Sequence, residues 1–366
     1  MAAGSPGSFT RRQFVGGFGA GTLSLTRAPG GVRAAQQSQP YDRIVISAGE
    51  TRTFELGDGD VLENTIIDIT ASGATAFVYA AGRGWTIRNV AVVGRHPERN
   101  QPVLLAKDFG GGSVVENCYF GGDPSAPKAT AVFVHAEHSG DLLVRNCVFE
   151  DWTDNAIYAS PPGNPDIEHY RPDNVGQGGT VRVENCYFEN VHVAGVRLGT
   201  DGSYARNCVF NGGPHRGFWG YYGETTYTNC HAVANYPFYA GGLTYEKQGS
   251  ATMVLEDCCG EGTLEALGGA EIRGDPCRAP QTSPPAGVPM SARAAASGPP
   301  DAASNGTETT AGGESDPAPA TDRSRRWFWP VAAALSLLTS NPLLGLLVVL
   351  AVVALVVAWR RSDRFD

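Results

Sequence analysis

The dipeptide Asn-Cys recurs at Asn117-Cys118, Asn146-Cys147, Asn185-Cys186, Asn207-Cys208 and Asn229-Cys230, with looser copies at Asn64-Thr65, Asn89-Val90 and Asp257-Cys258. The steps between these anchors are 25, 28, 29, 39, 22, 22 and 28 residues. Self-similarity at such a period marks a stacked architecture, because one unit of this size cannot bury its apolar face without a neighbour.

The residues around the anchor choose the kind of stack. Two positions before it stand Leu62, Ile87, Val115, Val144, Val183, Ala205, Tyr227 and Leu255. Three positions after it stand Ile67, Val92, Phe120, Phe149, Phe188, Phe210 and Ala232. These alternate with polar positions, which is the period of a strand. Each copy therefore reads as a strand, a corner at Asn and a second strand, with aliphatics, thiols and phenyl rings in inward columns. The position just before the anchor reads Glu63, Arg88, Glu116, Arg145, Glu184, Arg206, Thr228 and Glu256. Parallel strands lie roughly 4.8 Å apart, so alternating signs attract between successive coils where like signs would repel. Asn suits the corner because it tolerates a left-handed backbone and its amide can bond to the Asn of the next coil.

These features predict an all-β fold, a right-handed parallel β-helix of about eight coils. The chain resembles the β-helix repeat family shared by pectate-lyase-like proteins over roughly residues 41–277, and the resemblance speaks for the fold more than for an activity. In enzymes of that fold the polysaccharide lies in a groove along the third strand of each coil, and the resemblance implies such a groove here.

The flanks predict an exported, anchored protein. Residues 1–35 read as an export signal: Arg11-Arg12-Gln13-Phe14-Val15 resembles the twin-arginine motif, an apolar Gly-rich run reaches Leu25, and Val32-Arg33-Ala34 suits cleavage. The β-helix domain is expected over 36–277, with residues 41–60 capping its open first edge. An insertion between Asn146 and Asn185, from Pro161 to Gly179, is expected to form a loop on one face. Residues 278–326, rich in Pro, Ala, Ser, Thr and Gly, read as a disordered stalk carrying the sequon Asn305-Gly306-Thr307. Residues 327–359 are nearly all apolar and flanked by Arg pairs and Trp, as a transmembrane anchor requires, leaving 360–366 as a cytoplasmic tail.

The net charge of −9 weighs against a nucleic-acid partner. Of the 8 cysteines, five or six fall in one inward column. Successive Cβ atoms there are slightly too far apart for a relaxed disulfide, so these are expected to be buried thiols. Cys258, Cys259 and Cys277 are the ones free to pair.

Alignment of the third strands places Val78, Val132, Ile157, Val196, Phe218 and Phe238 inward. The outward column is then Tyr79, Phe133, Tyr158, Arg197, Trp219 and Tyr239, with Tyr221 outward two residues after Trp219. An exposed aromatic row offers faces for sugar rings, and Arg197 within it suits a carboxylate. The expected sugar contacts are therefore Phe133, Tyr158, Arg197, Trp219, Tyr221 and Tyr239. Polar residues gather at the turn before this strand: Asp151, Asp154, His192, His215, Arg216 and Asn235. A hydrolase needs two carboxylates flanking the bond, and a lyase needs a base and a cation. Asp154, Arg197, His215 and Glu224 are the candidate catalytic groups, none of them in a motif. His135-Ala136-Glu137-His138 lacks the spacing of a zinc helix; a calcium site built from Asp residues is the alternative left open, although no acidic run has the spacing of a calcium loop. No cofactor is identified. The expected partners are an extracellular polysaccharide and the membrane, with a polysaccharide lyase or glycoside hydrolase as the enzymatic form. A non-catalytic structural or adhesive surface module is the alternative.

Overall fold

The computed structural model describes residues 41–96, 101–165, 175–242 and 251–299. The export signal, the sequon, the apolar segment 327–359 and the tail lie outside these residues. The described chain is a parallel β-solenoid of about eight coils whose strands stack in three ladders.

The first ladder holds the strands that precede the anchor, from Val61–Asp68 through Thr86–Val93, Asp141–Arg145 and Thr180–Glu184 to Glu271–Arg273. The second follows the anchor, for example Tyr119–Gly121, Val148–Glu150 and Tyr187–Glu189. In the two earliest coils one unbroken strand spans both, which merges these ladders into one sheet. The third ladder is a separate parallel sheet running from Thr51–Leu56 through Asn155–Ala159, Ala194–Leu198, Arg216–Gly220 and Tyr236–Ala240 to Glu265–Ala266. Residues 41–60 supply the opening rungs: Asp42–Val45 pairs with Thr65–Asp68, and Thr51–Leu56 pairs with Thr75–Gly82.

The corner chemistry follows from the anchor. Asn64, Asn89, Asn117, Asn146, Asn185, Asn207, Asn229 and Asp257 all adopt φ between 49° and 55°, the left-handed region that Asn tolerates best after Gly. Their amides form a ladder: Asn89 donates to Asn64 at 2.8 Å, Asn117 to Asn89 at 2.7 Å, Asn185 to Asn146 at 2.8 Å and Asn229 to Asn207 at 3.0 Å. The thiol after the anchor has its own task. Cys118, Cys147, Cys186 and Cys208 each donate to the carbonyl two residues earlier at 3.1 to 3.3 Å. Thr65 makes the same bond in its coil at 2.8 Å. A small side chain with a donor therefore closes the corner from inside, which explains why Cys and Thr share the position.

Six cysteines are free and buried, from Cys118 to Cys258. Burial pushes the Cys147, Cys186 and Cys230 thiols well above the usual range, so they are inert hydrophobes rather than thiolate nucleophiles. Cys259 and Cys277 form a disulfide, while Cys258 is the last member of the buried column. The Phe column stacks, with ring centroids 5.0 Å apart for Phe120 and Phe149 and 5.2 Å for Phe149 and Phe188. The alternating charges pair as their order requires: Arg88 with Glu63 and Arg145 with Glu116, both at 2.5 Å, and Arg206 with Glu184 at 3.0 Å.

The segment after Cys277 departs from the stalk expected there. Through residue 299 it lies against the solenoid and runs back along it. The Gln281 amide donates to His231 Nδ1 at 3.2 Å, and Asn185 donates to the Ala286 carbonyl at 3.0 Å. Val288 packs on Val148, Tyr187 and Val209. A short helix, Ala292–Ala296, is capped by the Ser291 hydroxyl and buries Ala295 and Ala296 against Ile66 and Ala91. Composition suggested disorder, but small residues are what lets a strap lie flat on a sheet. The signal for it stands two positions after the first six anchors. Ile66, Ala91, Tyr119, Val148, Tyr187 and Val209 form an outward column too apolar to face water.

Candidate functional site

The third ladder carries the outward row. Its register places Tyr79, Leu105, Phe133, Tyr158, Arg197, Trp219 and Tyr239 on successive rungs. The parity read from the strands holds, and Leu105 fills the rung between Tyr79 and Phe133. The inward residues Val78, Leu104, Val132, Ile157, Val196, Phe218 and Phe238 are all buried in the main core.

Exposure changes along the row. Tyr79 is 39% exposed, Phe133, Tyr158 and Arg197 are half-buried, and Trp219 and Tyr239 are 1% exposed. The expectation of a ring open to solvent on every rung therefore fails at the last two. The physical reason is a second apolar cluster outside the sheet, in which Tyr221, Tyr222, Tyr236, Val193 and Leu267 close over Trp219 and Tyr239. The indole N–H of Trp219 donates to the Gly241 carbonyl at 2.8 Å, so its burial leaves no unmet donor. Tyr221 belongs to this buried cluster as well.

Two glycines shape this end of the ladder. The pairing skips Gly195 and Gly217. A Cβ at 195 would stand 2.6 Å from the Phe210 ring, and one at 217 would stand 2.8 Å from the Ala232 Cβ. The backbone hugs the core there and kinks, so Arg216 emerges on the same outer side as Trp219 although strand parity would send it inward. Arg216 is 8% exposed, and burial holds its pKa below the usual guanidinium range. Its guanidinium carbon lies 4.1 Å from the Trp219 ring and 4.3 Å from the Tyr239 ring. That of Arg197 lies 4.4 Å from Trp219, 4.2 Å from Tyr158 and 3.6 Å from Tyr221. Two cations thus share one indole. The sequence reading places Arg216 at the turn, as a group that with Arg197 and His215 could serve a lyase, and not in the outward row; the repeated Ala194-Gly195-Val196-Arg197 and Arg216-Gly217-Phe218-Trp219 segments hold the signal for its outward position.

The candidate catalytic groups are not assembled. Asp154 is buried just before its strand, accepting from Thr130 at 3.0 Å and from Asn155 at 2.9 Å. Its carboxylate is part of the turn. Glu224 opens a first-ladder strand, is exposed and pairs with Arg273 at 3.2 Å. His215 sits in the turn before Arg216, edge-on to His192 with ring centroids 5.0 Å apart. The remaining turn residues are tied up locally: Asp151 accepts from Asn190, and Asn235 donates to the Pro214 carbonyl. Of the candidates only Arg197 and His215 belong to the arginine-aromatic region. Among the described residues no group of three His, Cys, Asp or Glu side chains converges to hold a metal ion. In the His135–His138 run, His138 bonds to the Asp108 amide at 3.0 Å and to the Thr180 carbonyl at 2.9 Å, a structural bridge between coils.

Grooves flank the ladder at its two corners. One of about 530 Å³ precedes the third strand and is lined by Asn235, Tyr236, Glu261 and Thr263. Another of about 380 Å³ follows it and is lined by Pro165, Asp201, Tyr222 and Glu224. Tyr236 and Tyr222 thus reach from the arginine-aromatic cluster into one groove each. Comparison of the chain with protein-family models, curated proteins and solved structures gives no match.

Proposed function

We propose that the third ladder is the contact surface for an extracellular polysaccharide, on a right-handed, pectate-lyase-like β-helix exported by a twin-arginine route and held at the membrane by residues 327–359. The observation that carries this reading is the unbroken outward row, six of whose seven members from Tyr79 to Tyr239 are aromatic or Arg. Its open part is Tyr79, Phe133, Tyr158 and Arg197. Sugar rings stack on such faces, and grooves at both corners give a chain room to lie across the coils. The engagement of Asp154 in its turn and of Glu224 with Arg273 favours binding over bond cleavage.

A structural or adhesive role without sugar contact has one observation in its favour, the burial of Trp219 and Tyr239. A glycan array probed with the full-length protein separates the two. Binding is expected, and it is expected to fall in a Phe133→Ala, Tyr158→Ala double variant. The same glycans would be assayed for new reducing ends and for ultraviolet-absorbing unsaturated products. An array on which the wild-type protein binds nothing would sink the reading.

A further inference from the structure

We infer that Arg197 and Arg216 form an oxyanion-binding site, one that receives a carboxylate, sulfate or phosphate group. Cation–π contact explains where the two guanidiniums lie, and on Arg216 a hydrogen bond to the Tyr239 hydroxyl adds to it, but neither contact takes up an Nε–H. A stacked guanidinium still presents its N–H edge in the ring plane, the fork that grips an oxyanion with two parallel bonds. On both residues the Nε–H on that edge is shut off from water and has no acceptor. A buried donor left unmet is costly, and two such donors on neighbouring cations are costlier. Arg197 and Arg216 also repel one another, which adds to burial in holding the Arg216 pKa down.

No carboxylate relieves this. Among the described residues neither arginine forms an ion pair, while Arg43, Arg88, Arg145, Arg182, Arg206 and Arg273 all do. The nearest acid on the ladder is Glu265, one rung beyond Tyr239, which attracts Arg216 through space without forming an ion pair with it. Other described arginines without an ion pair, such as Arg52, Arg83 and Arg95, lie exposed to water; here Arg216 is buried and the Nε–H of Arg197 is shut off from water, with no acid matched to either. An anion from outside would take up the open N–H edges and screen the repulsion. Half-exposed Arg197 is the entry point and Arg216 the buried second charge. The inference rests on the proposed polysaccharide reading only in placing the oxyanion on a polymer; the site itself does not need it.

The test uses full-length protein titrated with sodium sulfate, sodium phosphate and sodium acetate in separate arms, against sodium chloride at equal ionic strength. Thermal unfolding and tryptophan emission are both followed. At least one oxyanion is expected to raise the unfolding temperature saturably and to perturb the emission of Trp219, with Trp219→Phe removing the emission change. Which arm responds identifies the group. Arg197→Gln and Arg216→Gln are each expected to weaken the response about tenfold or more, as loss of a charge-assisted bond implies. General salting effects of sulfate would appear equally in wild type and variants. Equal responses in all proteins, or none beyond chloride in any arm, would overturn the proposal. If Arg216→Gln does not fold, Arg197→Gln at its half-exposed position decides the same question. Oxyanion binding without any glycan binding would sustain this site and sink the polysaccharide reading; the reverse result would do the opposite.

Discussion

Replacing Asn117 by Ala and by Gly separates the two reasons for Asn at the corner. Asn117 is buried with φ 51°. Its amide donates to Asn89 Oδ1 at 2.7 Å and to the Ala295 carbonyl of the strap at 3.2 Å. Either substitution removes both bonds, at about 1 kcal/mol each. Ala also suffers the left-handed backbone, about 1–2 kcal/mol, for a total of about 3–4 kcal/mol. Gly escapes that strain but loses about 0.4–1 kcal/mol through the freedom of its unfolded chain, for a total of about 2–3 kcal/mol. The expected order is wild type, then Gly, then Ala. At an ordinary position Ala is the more stable of the two by a similar margin, so the sign is diagnostic. Thermal unfolding followed by circular dichroism resolves it, because 1 kcal/mol shifts the midpoint by about 2–4 °C in a domain of this size. An Ala variant as stable as the Gly variant would refute the corner argument.

Other consequences can be checked with simple reagents. A thiol reagent is expected to find no reactive cysteine in the native protein, 6 after denaturation and 8 after denaturation with reduction. Removing the Cys259–Cys277 bridge, whose partners are 18 residues apart, is expected to cost about 3 kcal/mol, seen as a lower unfolding midpoint in a double Ala variant. Burial pushes the Asp108 carboxyl upward, but bonds from Ser113 and from the Gly111 and Gly110 amides outweigh it and hold the pKa below the usual range. A depressed folded pKa gives stability that is present above the unfolded value and lost as pH falls through the folded one. The stability advantage of wild type over Asp108→Asn is therefore expected to shrink as pH falls below about 4, measured by unfolding across that range. Val288→Asp sets a carboxylate against Val148, Tyr187 and Val209; faster protease cleavage within residues 278–299 is expected, and an unchanged rate would count against a docked strap.

The repeat was legible because its chemistry is local. A left-handed corner selects Asn, the inner side of that corner selects a small donor such as Cys118 or Thr65, and alternating Glu and Arg need only the neighbouring coil. The same logic carried the outward row to its correct register. Parity failed where the backbone kinks: Gly217 lets Arg216 turn outward, and the cause is the Ala232 Cβ of the next coil, a partner that the strand itself does not reveal.

Burial was the harder property. Whether Trp219 faces water depends on Tyr221, Tyr222 and Leu267, which reach it from turns and from other coils. Likewise Asp154 reads as a free acid until Thr130 and Asn155 are seen to hold it. The strap after Cys277 depends on small residues meeting an apolar column built from one residue in each of several coils. The amino-acid sequence alone thus determined the coil, its corners and its register, because each is set by contacts repeated at one spacing. Only the tertiary structure decided which outward side chains stay wet and that Arg197 and Arg216 meet over one indole, because those outcomes depend on contacts that occur once and join residues far apart in the chain.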